Sequence, residues 1–403
     1  METAAMQSED STQFTRKILG PKECQEVVPV LNEQVSVYDY THTQLGFRFS
    51  IGTHIPQVAA VPGKPYLSLG GFRIVPRDRA ARPGFSTVRE AIELAVGMEE
   101  KVFWSKLARV AGPIGIEHLD HIVGGKCILL AENEGRVGER NDLAALQFAV
   151  ACMHDFEAHS GVRIVTGQDL GHGAMSDGIA TSLQCLHANF LGSVISDTSK
   201  PTAEGNYYMA KGMLTALGLE FSAVTLGLIG IGNIGEHLLN RMIESGAKVL
   251  ALESSEAKRM HLSQRGIQVF APDQKEQFLA LKMDGLMLNA SGGSLDLGTI
   301  ALIAKNPTIK IVSGCENLVM PDPAGERQLL KAKKIYCHTE LCGMMGYLTA
   351  VEEYLNRVAK TTFKIESMFE ASRKLEELGY RGTRAVIEAD FERSFQECVR
   401  SHA

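Results

Sequence analysis

The chain has 403 residues, of which 45% are hydrophobic and 22% charged, a soluble globular balance on a length that exceeds one compact core and points to two domains. A net charge of -6 gives no reason to expect nucleic acid, whose binders usually carry a basic face, and makes a small molecule the more natural partner. No run of about 18 uninterrupted apolar residues occurs, so no membrane span is expected. The polar opening METAAMQSEDSTQ lacks the basic and apolar regions of a signal or transit peptide. Eight scattered cysteines, from Cys24 to Cys398, read as reduced thiols of a cytoplasmic protein. The nearest thing to a metal cluster, Cys337, His338 and Cys342, matches no standard zinc spacing, so no metal is expected.

Residues 34 to 76 alternate apolar and polar positions in VSVYDYT, LGFRFSIGT and PYLSLGGFRIVP, which predicts antiparallel strands. STVREAIELAVGMEEKVFWSKLARVAG then follows a helical period and opens with Thr87 and Glu90 in capping-box spacing. On this helix Leu94, Gly97, Met98 and Lys101 share one stripe, so a lysine sits among apolar residues. HIVGGKCILL, residues 121 to 130, places a second lysine, Lys126, between a glycine pair and an apolar run. Lysine is almost never buried without a partner, and burial disfavours its ammonium form. Either Lys126 lies in an exposed turn or a lowered basicity is its purpose. A helix, DLAALQFAVACMHDFEAHS, leads into the strand VRIVTG and then QDLGHG, whose Asp169 by itself reads equally well as a turn or cap residue.

From about residue 222 short apolar runs alternate with helical stretches: AVTLGLIG, KVLALE, IQVF, GLMLNA, IKIVSG and KIYCH. That alternation predicts an α/β domain with a parallel sheet wound on both faces. The change of pattern places a first, mixed α/β domain over residues 1–205 and the doubly wound domain over 206–354. The helical segment beyond, 355–403, is expected to pack back on the first domain.

TLGLIGIGNIGEHLLNRMIESGAKVLALES carries Gly230, Gly232 and Gly235 in G-x-G-x-x-G spacing, after a strand and at the opening of a helix. The first glycine permits the tight turn, the second lets backbone approach a pyrophosphate, and the third permits close helix packing. Asn233 and Ile234 open the helix, whose free amides and dipole hold phosphates. Glu253 ends the second strand, placed to accept hydrogen bonds from a ribose. Its charge would repel a 2'-phosphate and so favours NAD over NADP, with Lys258 and Arg259 close behind weighing the other way. LNASGG puts Ala290 and Ser291 beyond the fourth strand, where ligands of such sheets lie.

Over roughly residues 45 to 370 the chain resembles the glutamate/leucine/phenylalanine/valine dehydrogenase family, nearest in appearance to its leucine and phenylalanine members. The resemblance rests on LGGFR (69–73), GMEEK (97–101), GGK (124–126), TGQDLG (166–171) and the dinucleotide unit, in that order. It implies an N-terminal substrate domain, a C-terminal Rossmann domain that binds NAD, and a cleft between them. It further implies reversible oxidation of an L-amino acid to a 2-oxo acid and ammonia, and a homodimer or higher homo-oligomer. By resemblance Lys101 holds the substrate carboxylate, and Leu69, Gly70, Gly71 and Gly343 line the substrate side. Lys126, kept partly neutral by desolvation and a neighbouring cation, polarises the carbonyl or activates water. Asp169 moves the proton on the amine, and Thr202 lies by the cofactor.

The sequence departs from the family in several places. An insertion separates Lys101 from Gly124 and makes Lys106 a rival for the carboxylate. The threonine segment matches through Thr202-Ala203 or Gly212-Met213, but not both. Where the family reads N-A-G-G this chain reads GMMG at 343–346, with flexible apolar bulk in place of an asparagine. Glu316 and Glu340 are candidates to replace the missing polar contact. Glutamate-specific members carry a lysine before the glycine pair; Leu69 there would leave a substrate side-chain carboxylate unpaired, so an apolar substrate side chain is expected. An NAD enzyme acting on a substrate without an amino group, and a non-catalytic dinucleotide sensor, are the competing readings.

Overall fold

The computed structural model describes residues 13–29, 34–56 and 59–401; most of the polar opening lies outside them. The chain divides into two compact units. The first comprises residues up to 102, 117–196 and 350–363, and the second comprises 103–116, 197–349 and 364 onward.

A seven-stranded sheet organises the first unit. Its strands are β1 (Phe14–Leu19), β2 (Val35–His42), β3 (Phe47–His54), β4 (Leu67–Leu69), β5 (Phe72–Ile74), β6 (Ile122–Ala131) and β7 (Arg163–Val165). The order is β1-β2-β3-β6-β4-β7, with β5 also paired to β6. As the alternation predicts, β1, β2, β3 and β6 pair antiparallel, but β4 and β5 run parallel to β6. Alternation encodes which face is buried and not strand direction, so the antiparallel expectation fails for PYLSLGGFRIVP.

Every residue of β6 is buried. Cys127, Leu129 and Ala131 join Phe47, Phe49 and the helix Asp142–Ser160 in an aromatic-rich core, while Ile128 and Leu130 face Ala91 of the helix Thr87–Ala108. Two helices therefore cover the two faces of the strand. By the same alternation Lys126 lies on the face of Ile128 and Leu130, so it is no exposed turn residue.

In the second unit each of the six apolar runs forms a strand: β8 (Thr225–Ile229), β9 (Lys248–Leu252), β10 (Gln268–Phe270), β11 (Gly285–Leu288), β12 (Ile311–Gly314) and β13 (Ile335–Tyr336). All pair parallel in the order β10-β9-β8-β11-β12-β13. Strand order reverses between β8 and β11, and such a switch point is where doubly wound sheets receive ligands.

The expected boundary at 205/206 falls inside the helix Ser199–Ala216, which belongs wholly to the second unit. Residues 364–403 also belong to that unit, against the expectation that they pack on the first; of the segment 355–403, only 355–363 follow it. The reason is a close helix crossing. A Cβ on Gly212 would stand 1.9 Å from the Glu376 carbonyl oxygen, and Lys211 pairs with Glu376 at 2.9 Å. No helix among the described residues is long and apolar enough to cross a membrane.

Candidate active site

Within the first unit Lys126 meets Asp169, with Nζ 2.5 Å from a carboxylate oxygen and the lysine only 7% exposed. Strand β6 carries the lysine, and the loop after β7 carries the aspartate. Gly71, just before β5, closes a third side: a Cβ there would stand 3.1 Å from the Lys126 amine and 3.0 Å from the Asp169 Cβ. A Cβ on Gly70 would meet the Gly125 carbonyl oxygen at 1.8 Å. Gly70 and Gly71 thus let two backbones approach around the amine. Leu69, at the end of β4, is fully buried.

Burial by itself would raise the Asp169 pKa, but the charges of Lys126 and Arg73 outweigh it and hold the carboxyl below the usual carboxylate range. The proton of the resting pair is therefore not on Asp169. The neighbouring cation is Arg73, and it binds the aspartate.

Arg73 is the residue that sequence reasoning missed. Its Nε and Nη2 donate to the two oxygens of Asp169 at 2.9 and 3.3 Å, and its Nη1 donates to Glu90, whose same oxygen takes Arg79 Nε at 2.8 Å. Glu90 therefore does not close a capping box with Thr87. Thr87 instead accepts a hydrogen bond from Ser50, and Ser86 Oγ accepts from the Arg89 amide. His172 was also missed. Its Nε2 donates to the Phe72 carbonyl at 2.8 Å, so its Nδ1 accepts from Ser182 at 2.9 Å, and burial lowers its pKa. The signal for Arg73 was available, because it is the last residue of LGGFR.

The helix Thr87–Ala108 packs on the start of the lysine motif. The Glu99 carboxylate accepts from the Gly124 amide at 2.5 Å, and a Cβ on Gly124 would collide with the Glu99 backbone. Lys101, half-buried, lies two residues further on in the same unit as Lys126, whereas Lys106 falls in the other.

In the second unit Gly230 sits at φ 85°, where a Cβ would meet the Ala290 amide at 2.7 Å; a Cβ on Gly235 would meet the Gly230 carbonyl at 2.1 Å. Gly232 caps the helix Asn233–Glu244, which Ile234 and Gly235 continue, and has nothing within 4 Å of its Cβ position. Backbone amides at a helix start, bordered by open space, fit the phosphates of a dinucleotide. Glu253 accepts from the Ile231 and Ser255 amides, both at 2.7 Å, and those bonds outweigh burial to hold its pKa low. Its charge is fixed beside the turn, while Lys258 donates to the Ile231 carbonyl.

Ser291, beyond β11, is exposed. Thr202 is buried on the helix Ser199–Ala216, and a Cβ on Gly346 would stand 2.7 Å from its hydroxyl. The threonine thus meets the GMMG segment, in which Met344 and Met345 are fully buried and Gly343 approaches Cys315. Glu316 spends its carboxylate on the Ala290 and Ser294 amides, so it supports that loop and does not replace the missing asparagine. Glu340 takes a hydrogen bond from the hydroxyl of adjacent Thr339.

A family model described as NADP oxidoreductase, coenzyme F420-dependent, matches residues 225–283, the glycine turn and the strands around it. Valine dehydrogenases of Streptomyces albus and Streptomyces coelicolor are each 26% identical over 71% of this chain and 72% of theirs. L-tryptophan dehydrogenase from Nostoc punctiforme has the same fold, with a TM-score of 0.62 at 17% identity over 91% of this chain and 93% of that one. Glutamate dehydrogenase from Peptoniphilus asaccharolyticus matches at a TM-score of 0.60 and 13% identity, over 94% and 93% of the two chains. Sequence likeness to the valine enzymes and the shared architecture agree with the ordered motifs: the chain is similar to amino acid dehydrogenases of the glutamate/leucine/phenylalanine/valine family.

Proposed function

We propose that the protein is an NAD-dependent dehydrogenase that reversibly converts an apolar L-amino acid and water to a 2-oxo acid and ammonia. The observation that carries the reading is the buried Lys126–Asp169 pair, closed in by Gly71. Bound at the glycine turn, the nicotinamide supplies the hydride acceptor; the protein's task is to orient the substrate and manage protons. Lys101, in the GMEEK segment, takes the substrate carboxylate. Ionised Asp169 accepts a proton from the substrate ammonium, freeing the nitrogen lone pair that pushes the hydride off Cα. Lys126, as the free amine, takes a proton from the water that adds to the imine carbon and releases it to solvent, and Asp169 returns the proton it took to the departing nitrogen. In the reverse direction the Lys126 ammonium polarises the 2-oxo carbonyl.

Buried Leu69 favours an aliphatic or aromatic substrate side chain, because a second carboxylate facing it would be unpaired. The ionised Glu253 favours NAD over NADP. None of the eight cysteines is in a disulfide, which suits a reducing, cytoplasmic compartment, and a homodimer is the smallest assembly we propose.

The test is NADH consumption with a panel of apolar 2-oxo acids, with and without ammonia. Ammonia-dependent turnover is expected. Two buried methionines where the family has an asparagine favour one other reading, reduction of a substrate without an amino group. Consumption that ignores ammonia would select it, and tight NADH binding without turnover would select a sensor.

A further inference from the structure

Lys126 and Asp169 do not stand alone. Arg73 lies on β5, whose pairing with β6 sets Phe72 opposite Cys127 and Arg73 opposite Ile128. From there its guanidinium is shared between two carboxylates: a fork onto both oxygens of Asp169, and its remaining Nη1 onto Glu90. Arg73 and Glu90 are 7% and 5% exposed, and Arg79, on the far side of Glu90, is the partly exposed end of the row. Charges alternate along it: Lys126, Asp169, Arg73, Glu90, Arg79. A planar fork on a carboxylate fixes its orientation as a point charge does not.

We propose that Arg73, itself held by Glu90, is a positioning residue that orients the Asp169 carboxylate against the Lys126 amine and so sets when Asp169 takes up and gives back the substrate's proton. The inference rests on the dehydrogenase reading given above. Around Asp169 the facing titratable and charged groups are Lys126, Arg73 and, at longer range, His172; around Arg73 they are Asp169 and Glu90, with Arg79 beyond. Burial opposes the Asp169 charge, and Arg73 supplies one of the two cations that overcome it. Without Arg73, Asp169 stays protonated to higher pH and cannot accept a proton from the substrate there.

Removing a buried arginine alone takes one of two cationic partners from each of two carboxylates, so the informative variants are Arg73→Lys, which keeps the charge but not the fork, and the double variant Arg73→Met with Glu90→Gln, which removes the charges as a pair. The acid limb of kcat/KM for amino acid oxidation should move up by about 1–3 pH units in the double variant. Its rate should recover at high pH, and Arg73→Lys should fall between it and the wild type. A uniform loss of rate at every pH, with the acid limb unmoved, would overturn the proposal and leave Arg73 a structural residue. The same variants are to be followed by carbon-13 NMR of the aspartate carboxyls without substrate. The Asp169 midpoint should rise in the double variant even if no amino acid is turned over, which separates failure of this inference from failure of the functional reading; an unmoved midpoint would overturn it.

Discussion

In the second unit the candidate cofactor turn is made of backbone: Gly230 at positive φ, Gly235 against the Gly230 carbonyl, and free space over Gly232. In the first, the candidate reacting centre is made of side chains, with Arg73, Glu90, Lys126 and Asp169 brought together from strands, a helix and a loop. A backbone site needs neighbours in sequence, tolerates no Cβ at its tightest glycines and keeps one charge state. A side-chain site needs the whole sheet to assemble it and responds to pH. The two should therefore fail separately and by different measurements.

The largest break is expected from Asp169→Asn, which removes the proton acceptor and keeps the shape. Amino acid oxidation should fall by about 10²–10⁴-fold, with the NADH dissociation constant within a factor of about three of wild type. Next, Gly235→Ala drives a methyl group into the Gly230 carbonyl. It should weaken NADH binding by at least about tenfold and destabilise the second unit by about 1–3 kcal/mol in chemical denaturation, leaving the Asp169 titration unmoved.

The third test is acid stability. Asp169 is held below its ordinary value in the fold and returns to it on unfolding, so the unfolded chain binds the proton first as pH falls. Stability from this group is complete above the unfolded value of about 3.9 and is lost progressively below it. Wild type should therefore lose more stability than Asp169→Asn between about pH 6 and pH 3, by an amount on the order of 1 kcal/mol. Smallest is Gly232→Ala, whose Cβ meets nothing within 4 Å. It should weaken NADH binding several-fold through crowding at the phosphates and leave the melting temperature nearly unchanged.

The same contrast explains what was legible in the sequence. Six apolar runs became six parallel strands because a parallel strand buried on both faces reads as a continuous apolar segment, and the glycine turn was legible because its three glycines fall within six consecutive residues. Lys126 and Asp169 stood out by residue type and motif, but their partner did not. Glu90 lies three residues after Thr87, and that local pattern reads as a cap, yet Arg73 and Arg79 compete for the carboxylate and win. The direction of β4 and β5, and the surface that receives the helices after 364, are set by tertiary pairing that periodicity does not encode. The lysine in the apolar strand meets a buried counter-charge, Asp169, which no stretch around residue 126 contains.

The most direct test of the central claim compares Lys126→Ala with wild type, measuring the NADH dissociation constant and ammonia-dependent turnover of an apolar 2-oxo acid on one preparation. The account predicts unchanged NADH binding and turnover reduced by about 10²-fold or more. Turnover in the variant equal to wild type would contradict it and place the reacting centre elsewhere.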